Sequence, residues 1–402
     1  MKYPKIRFKG NTTEWQTTLL NEWLIPSKKK NVDLIYDKND VLSVSGEFGV
    51  VNQIQFHGKS FAGASVKNYG VVNTGNIVYT KSPLRKQPYG IIKSNKGEAG
   101  IVSTLYAIYK SVDSTYPDFI EEYFNNDKRL NDYLRPLVRK GAKNDMKVSS
   151  EGALQGLVTF PQKNEQIQIS EFLGQMSKLI VSLNRKIECL EKLKQSMLTM
   201  MFPQEGELVP QIRFKGFEKE WNKVEFGSLL DECLEKSTTE NEDVLLSSAI
   251  NGVFLNSELF DHQRGKSNIG YRKIKKDMLI LSAQNLHLGN ANVNLRFEHG
   301  LISPAYKIYN LLNVNPLFMH QWIKRDSTKT FFLNATTAGA SLCRKNIVWE
   351  DLYKQSLLIP SKEEQEFIGK FFIHLDRDIS LQIQRLEKLK QIKLACLDKM
   401  FV

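Results

Sequence analysis

Four segments of the sequence carry the side chains that proteins use to bind nucleic acid. Lys and Arg neutralise phosphate groups without reading sequence, whereas Arg, Asn and Gln can discriminate between base edges through hydrogen bonds. The segments mix both kinds of residue and lie at 81–89, 139–144, 262–273 and 284–285. For any single residue among them, the alternative interpretation is a solvated loop charge. The predicted DNA-binding residues are Lys81, Arg85, Lys86, Gln87, Tyr89, Arg139, Lys140, Lys143, Gln263, Arg264, Lys266, Tyr271, Arg272, Lys273, Gln284 and Asn285.

Motifs for catalysis or for cofactor binding are missing from the sequence. The nearest approach to the N-P-P-[FYW] motif that grips a flipped adenine is Asn315-Pro316-Leu317-Phe318, which differs at its third position. No phosphate-binding G-x-x-x-x-G-K-[ST] loop occurs. The histidines lack the short spacings of metal ligands, and the four cysteines form no C-x-x-C pair. We therefore expect no catalytic residue, no metal and no cofactor in this chain.

Composition and charge restrict the class of protein further. The 402 residues favour two or three domains, and 41% hydrophobic with 25% charged residues is typical of a globular chain. Lys and Arg number 56 against 44 Asp and Glu, which gives a formal charge of +12 and suits a polyanionic partner. No apolar stretch approaches the roughly 18 residues of a membrane span. These features predict a cytoplasmic protein with no membrane partner.

The elements that must position the predicted binding residues occur twice. Residues 4–15, PKIRFKGNTTEW, match residues 210–221, PQIRFKGFEKEW, at eight of twelve positions. Further matches follow in the same order, and the offset between them falls from 206 to 199 along the chain. Internal repetition of this kind indicates two copies of one fold that differ in their loops.

Each copy begins with a globular part that mixes short β-branched and aromatic runs with turn residues, which predicts an α+β domain. Pro117 and Pro316 have the position of a first-turn proline in a short helix. Lys324 and Arg325 follow the apolar pair Trp322-Ile323, where charges that complete a helix end explain them equally well. We therefore leave those two residues out of the predicted binding set.

Each copy ends with a long amphipathic helix. The span from Glu165 to Phe202 would be about 55 Å long at 1.5 Å per residue, and Pro203 would end it. An oligomerisation coil is one interpretation of such a helix, but two matched helices in one chain can bury their apolar seams against each other. Both helices contain LEKLKQ, at 190–195 and 386–391, in positions that leave the pairing register open. The seam residues predicted to form the helical spacer and to dock subunits include Leu183, Ile187, Leu190, Ile379, Leu386 and Leu389.

Taken together, these anchors resemble the specificity (S) subunit of type I restriction-modification systems. The likeness rests on the order and duplication of P-x-I-R-F-K-G…E-W, a hydrophobic-Pro-x-x-x-E-Q helix entry, and a long helix that ends in Met-Phe. It covers the whole chain. The resemblance implies target recognition domains at 1–156 and 210–356, with helical spacers at 157–209 and 357–402 that pair as an antiparallel coiled coil.

The same resemblance implies a non-catalytic subunit that reads a bipartite, asymmetric target in double-stranded DNA. Two methyltransferase (modification) subunits would dock on the helices, joined by two restriction subunits in systems that also cut DNA. S-adenosylmethionine, ATP and magnesium would then belong to those partners. The alternative is a basic coiled-coil DNA-binding adaptor or structural protein, which would not account for two divergent domains on one framework.

Overall fold

A computed structural model of the chain describes residues 3–84, 86–140, 146–260, 267–341 and 344–402. The chain forms two compact units. The first unit comprises Met1–Asn184 and Gln384–Val402, and the second comprises Arg185–Ile383. Each unit therefore contains one mixed α and β domain together with part of each long helix.

The first repeat contains strands and helices in the following order. They are β1 (Gln16–Leu19), β2 (Leu24–Pro26), β3 (Leu42–Ser45), β4 (Gly49–Asn52), α1 (Gln53–His57), β5 (Gly70–Val72), β6 (Ile77–Thr80), β7 (Ile91–Ser94), β8 (Gly100–Val102), β9 (Tyr106–Ser111), α2 (Pro117–Phe124), α3 (Asp127–Leu134), β10 (Arg139–Lys140), β11 (Met146–Lys147), β12 (Leu157–Phe160) and α4 (Lys163–Met200).

The second repeat follows the same plan with one further short helix. Its elements are β13 (Asn222–Glu225), β14 (Leu230–Glu232), β15 (Leu245–Ala249), β16 (Gly252–Leu255), α5 (Asn256–Leu259), β17 (Arg272–Lys275), β18 (Leu279–Ser282), β19 (Ala291–Val293), β20 (His299–Ile302), β21 (Tyr306–Leu311), α6 (Pro316–Trp322), α7 (Asp326–Asn334), β22 (Thr336–Ser341), β23 (Arg344–Ile347), α8 (Trp349–Lys354), β24 (Ser356–Ile359) and α9 (Lys362–Lys399). Pro117 and Pro316 each occupy the first turn of a short helix, as predicted.

Sheet topology confirms the duplication. The four-stranded sheet β2-β9-β6-β7 of the first repeat corresponds to β14-β21-β18-β19 of the second. The pair β1–β12 corresponds to β13–β24, and the hairpin β10–β11 to β22–β23. One difference is that β15 joins β20 in parallel in the second repeat, whereas the first has only an isolated bridge between Val41 and Ile101 at that place.

The central strands are buried on both faces, which explains their continuous apolar runs. Ile77 and Tyr79 of β6 pack into the main core of the first unit, which also holds apolar side chains of α2, α3 and α4. Val78 points the other way and joins a smaller apolar cluster with Leu42 and Val102. Successive side chains of a strand alternate between faces, so both faces of this strand require apolar residues. In the second unit, Leu279, Ile280 and Leu281 divide between two cores in the same way.

A glycine shared by the two repeats is required by close packing. A Cβ atom at Gly100 would lie 2.4 Å from the backbone oxygen of Asp40. At Gly300 it would lie 2.5 Å from Leu246 and 3.0 Å from the Val244 oxygen. The Asp40 backbone thus leaves no space for a side chain at Gly100, and a side chain at Gly300 would require Leu246 to move.

Contacts within each unit explain the anchor residues of the sequence. Arg7 forms a two-pronged ion pair with Glu165, with nitrogen–oxygen distances of 2.7 and 2.8 Å. Arg213 and Glu364 repeat it at 2.6 and 2.7 Å. The Arg of the I-R-F-K-G segment is therefore the partner of the Glu at the helix entry. At the start of α9, Ser361 Oγ also accepts from the Glu364 N–H at 3.3 Å.

The Gln that follows this Glu holds the start of the proline helix. Gln166 Oε1 accepts from the Tyr116 N–H at 2.8 Å, directly before α2. Gln365 Oε1 accepts from the Asn315 N–H at 2.7 Å, directly before α6. Because both Gln side chains are buried, they satisfy N–H groups that a helix start otherwise leaves unpaired.

The remaining anchors also contact each other. They are the tryptophan of the E-W segment and the phenylalanine at the Met-Phe helix end. The rings of Trp15 and Phe401 lie 6.5 Å apart in the first unit, and those of Trp221 and Phe202 lie 5.8 Å apart in the second. An arginine packs over each phenylalanine: Arg129 lies 4.8 Å from the Phe401 ring and Arg325 lies 4.6 Å from the Phe202 ring. Each helix end is thereby fixed in an aromatic core.

Segments of the two long helices contact each other within each unit. In the first unit Lys393 Nζ donates to Ser177 Oγ at 2.6 Å, and in the second Lys194 Nζ lies 2.5 Å from Asp376 Oδ1. The two lysines, Lys194 and Lys393, differ by 199 residues, and so do their partners Ser177 and Asp376. Equivalent positions of the two helices are thus 199 residues apart, so the LEKLKQ copies, which differ by 196, are not equivalent. Ile187, Ile379 and Leu386 are buried, as a seam requires, while the other predicted seam residues, Leu183, Leu190 and Leu389, are half-buried.

Candidate nucleic-acid interface

The loop between β6 and β7 carries five of the predicted DNA-binding residues and is fixed on α3. Gln87 Nε2 donates to Asp127 Oδ1 at 2.5 Å, and Asn131 Nδ2 donates to the Lys86 carbonyl at 3.1 Å. The Tyr89 carbonyl accepts from the Tyr79 hydroxyl at 2.7 Å. The side chain of Lys86 is exposed and that of Lys81 is half-buried. Arg85 lies outside the described residues.

Of the other predicted segment of the first repeat, Arg139 and Lys140 form strand β10, which pairs with β11. Arg139 is exposed on β10 and pairs across the hairpin with Lys147. Lys140 is described for its backbone only, and Lys143 lies outside the described residues. The hairpin follows α3 in sequence, and the β6–β7 loop is hydrogen-bonded to α3.

In the second repeat the predicted residues fall in two different settings. Gln284 and Asn285 are exposed in the loop between β18 and β19, which is the equivalent of the β6–β7 loop. Tyr271, Arg272 and Lys273 instead lie in or beside strand β17, where Arg272 donates to the Cys233 carbonyl at 3.5 Å and Lys273 forms an ion pair with Glu242. Gln263, Arg264 and Lys266 lie outside the described residues.

One hairpin of the second repeat was not among the predicted DNA-binding segments, although it is equivalent to a hairpin that was. The hairpin β22–β23 is the structural equivalent of β10–β11 and carries Arg344-Lys345-Asn346. Lys345 lies close enough to His287, in the β18–β19 loop, to act on it electrostatically. Burial is the larger cause of a lowered pKa of His287, and the Lys345 ammonium lowers it further. The sequence does carry two basic residues and an amide residue at 344–346. Only the strand pairing shows that this segment is equivalent to the hairpin β10–β11 of the first repeat.

The side chains of Lys324 and Arg325 make contacts within the second unit. Lys324 Nζ donates to Asn292 Oδ1 at 2.6 Å and to the Ile250 carbonyl at 2.8 Å. Burial, with a contribution from Lys194, lowers the pKa of Lys324 to about 8. Burial also lowers the pKa of Arg325 to about 10. Both side chains are thus held by contacts within the second unit, Lys324 on Asn292 and Arg325 over the Phe202 ring.

The first unit also contains an open cleft of about 1230 Å³ with balanced charges. Lys93 and Lys96 lie 3.7 and 3.0 Å from the Glu121 carboxylate. Burial alone would raise the pKa of Glu121, but these two ammonium groups and a hydrogen bond from Ser94 leave it lowered. Because five lysines and five carboxylates line it, this cleft has no excess positive charge for a polyanion.

Neither a metal site nor a membrane span is found in the described part of the chain. No cluster of three or more His, Cys, Asp or Glu side chains that could hold a metal ion occurs among residues 3–84, 86–140, 146–260, 267–341 and 344–402. Over the same residues, no helix has the length and apolar character needed to cross a membrane.

The fold of this chain is similar to that of type I restriction-modification S subunits. The crystal structure of the type I restriction-modification system S subunit from M. genitalium superposes with a TM-score of 0.57 at 14% identity, covering 100% of this chain and 99% of that chain. The HsdS subunit from Thermoanaerobacter tengcongensis gives a TM-score of 0.47 at 15% identity, with 96% of both chains covered. No family model and no curated protein matches the sequence. The predicted resemblance is thus confirmed at the level of the fold, over the whole chain.

Proposed function

We propose that this chain is the DNA sequence-recognition subunit of a type I restriction-modification complex. The observation that carries the proposal is that identical framework contacts support unlike outer surfaces. The ion pairs Arg7–Glu165 and Arg213–Glu364 are the same in both repeats. The loops at the equivalent positions differ, with Lys86 in one and Gln284 and Asn285 in the other.

A target with two different halves follows from this difference. Side chains that differ in their donors and acceptors cannot read the same base edges in the major groove. Two domains on one framework would therefore read two unlike half-sites, and the target would be bipartite and asymmetric.

The two long helices act, on this proposal, as an antiparallel coiled-coil spacer. In support, Ser177 contacts Lys393, and Lys194 contacts Asp376. The number of residues from Ser177 forward to Lys194 on α4 equals the number from Lys393 back to Asp376 on α9. Both contacts thus fit one antiparallel register. Apolar side chains left exposed on the helices, such as Leu179, Leu193, Leu381 and Leu394, would dock two methyltransferase subunits and, where present, restriction subunits.

The chain itself would be non-catalytic, as the lack of catalytic and cofactor motifs in its sequence suggests. S-adenosylmethionine would bind to the methyltransferase subunits, and ATP and magnesium to the restriction subunits. The chain would supply sequence recognition and placement only.

Genome-wide mapping of N6-methyladenine in cells with and without this gene tests the proposal. We expect one interrupted, asymmetric motif to be methylated only when the gene is present. Co-purification should also recover a methyltransferase with the untagged chain. A chain that methylates or cleaves DNA alone would contradict the proposal, as would a methylation pattern that does not depend on the gene.

A further inference from the structure

Three consecutive lysines follow β2 in the first repeat on a fixed backbone. Lys28, Lys29 and Lys30 are all exposed. The Lys29 carbonyl accepts from the Val71 N–H at 3.0 Å, and Lys30 forms an antiparallel bridge with Gly70. Of these three lysines, only Lys28 lies within 4 Å of a carboxylate in the described part of the chain, with 3.9 Å between its Nζ and Glu151 Oε1. The lysines are therefore held at a strand edge with their ammonium groups in solvent.

The loop that follows, residues 31–36, is closed by a buried side chain. Asn31 is 3% exposed, and its Nδ2 donates to the Tyr36 carbonyl at 2.8 Å. Its Oδ1 accepts from the Tyr36 N–H at 3.2 Å. These two hydrogen bonds between Asn31 and Tyr36 join the ends of the loop, so the loop conformation is fixed by contacts within the chain.

Apolar side chains project from this fixed loop into solvent. Val32, Leu34 and Ile35 are 55%, 57% and 72% exposed. Leu34 has a φ of 52°, a left-handed conformation that bulky residues rarely adopt. A strained backbone that presents three apolar side chains to water is typical of a contact element rather than of a linker.

The second repeat differs at this place. It keeps one of the three lysines, Lys236, which bridges to Arg272, and has Leu234 and Glu235 in place of the other two. The stretch that corresponds to the apolar loop, 237–243, reads Ser-Thr-Thr-Glu-Asn-Glu-Asp, and its acidic side chains are paired. The Glu242 carboxylate accepts from the Thr238 N–H at 2.9 Å and pairs with Lys273. Asp243 Oδ2 lies 2.5 Å from His299 Nδ1. Two copies of one partner subunit would need like surfaces on both repeats, whereas the two halves of an asymmetric DNA target would not.

We propose that residues 28–35 of the first repeat form a DNA contact, with Lys28, Lys29 and Lys30 on phosphates and Leu34 and Ile35 against apolar groove surface such as thymine methyl groups. This inference rests on the proposed function. It adds a basic and apolar element to the first half-site. The ends of β2 and β6 lie at the same edge of the sheet, on either side of β9, so Lys28 follows β2 at the edge where the predicted β6–β7 loop begins.

The first test measures salt dependence in the assembled complex with its methyltransferase subunits. The probes are a duplex that carries the methylated motif and a duplex that lacks it. For K28Q/K29Q/K30Q we expect the slope of log affinity against log salt to fall in magnitude by about 2 to 3 on both duplexes, because each phosphate contact contributes about 0.9. The matched control K215Q/K219Q/K223Q removes the same charge from exposed positions of the second repeat and should change the slope by less than about 1.

The second test separates apolar contact from charge. Leu34→Asn suits the left-handed backbone, so L34N/I35T should fold. We expect this variant to keep the wild-type salt slope and the wild-type yield of complex, and to lose about tenfold in affinity for the motif but not for the unrelated duplex.

Three results would overturn the inference or what it rests on. An unchanged salt slope in the triple lysine variant would show that the lysines do not meet phosphates. A lower yield of complex with unaltered DNA affinity in L34N/I35T would assign the loop to a protein partner. If the wild-type complex itself showed no preference for the motif, the proposed function would fail first.

Discussion

In each repeat, one buried ion pair joins the I-R-F-K-G segment to the start of the long helix. The Arg213–Glu364 pair joins the I-R-F-K-G segment to the first turn of α9, and the Glu364 side chain is almost fully buried. A buried carboxylate depends on its partner because water cannot replace the lost interaction. The same reasoning applies to Arg7 and Glu165 in the first unit.

We expect Arg213→Ala to destabilise the protein by about 3 kcal/mol, since it leaves Glu364 as an unpaired buried charge. Arg213→Lys should restore part of this, because an ammonium keeps the charge but not the two-pronged geometry. Thermal and chemical denaturation of the purified chain would measure both. Lys192→Ala, which breaks the exposed Glu188–Lys192 pair, serves as the control and should leave stability unchanged. Equal effects of Arg213→Ala and Lys192→Ala would refute this role.

A second residue-scale prediction concerns pH. Lys324 has a folded-state pKa of about 8, below its ordinary value of 10.5. The unfolded chain therefore binds more protons between these values, and stability must rise with pH across that window. Relative to Lys324→Met, which cannot titrate, wild-type stability should increase by roughly 1–3 kcal/mol from pH 7.5 to 10. A constant difference between the two proteins over this range would mean that the Lys324 ammonium is not penalised by burial.

At the scale of elements, the long helices depend on their buried seam. Ile187 is 8% exposed, whereas Leu193, six residues on, is 43% exposed. Ile187→Asp should cost about 3 kcal/mol and reduce soluble yield, because it buries a charge with no partner. Leu193→Asp should leave stability nearly unchanged but weaken methyltransferase docking, which analytical size-exclusion chromatography would detect. Similar destabilisation by both substitutions would contradict the assignment of the seam.

The elements also show what the sequence could predict. The helices of 38 residues and the proline-started helices follow from periodicity and from residues with strong local preferences. The strand-bound positions of Arg272 and Lys273 could not be predicted, because a basic run has no period and strand pairing depends on partners about 30 residues away. The equivalence of hairpin β22–β23 to hairpin β10–β11 was missed for the same reason.

At the scale of the whole molecule, each unit contains the end of the helix that follows the other domain. Leu198, Met201 and Phe202 fill positions in the second core equivalent to those that Leu397, Met400 and Phe401 fill in the first. The two helix ends therefore have the same shape and chemistry.

A fragment of residues 1–209 should accordingly form a homodimer, because its own helix end can replace residues 397–401 in a second copy. With the methyltransferase present, it should direct methylation to an interrupted palindrome built from the first half-site. Sedimentation at micromolar concentration and methylation mapping would test this. A fragment that remains monomeric, or that modifies a continuous site, would be incompatible with the helical spacer.

The central claim is that two independent readers share one framework, and a domain exchange tests it most directly. Residues 222–359, from β13 to its partner β24, would be replaced by the equivalent domain of another S subunit, and methylated motifs would be mapped across the genome. We expect one half of the motif to change while the other half and the requirement for the methyltransferase persist. A change in both halves at once would contradict the account.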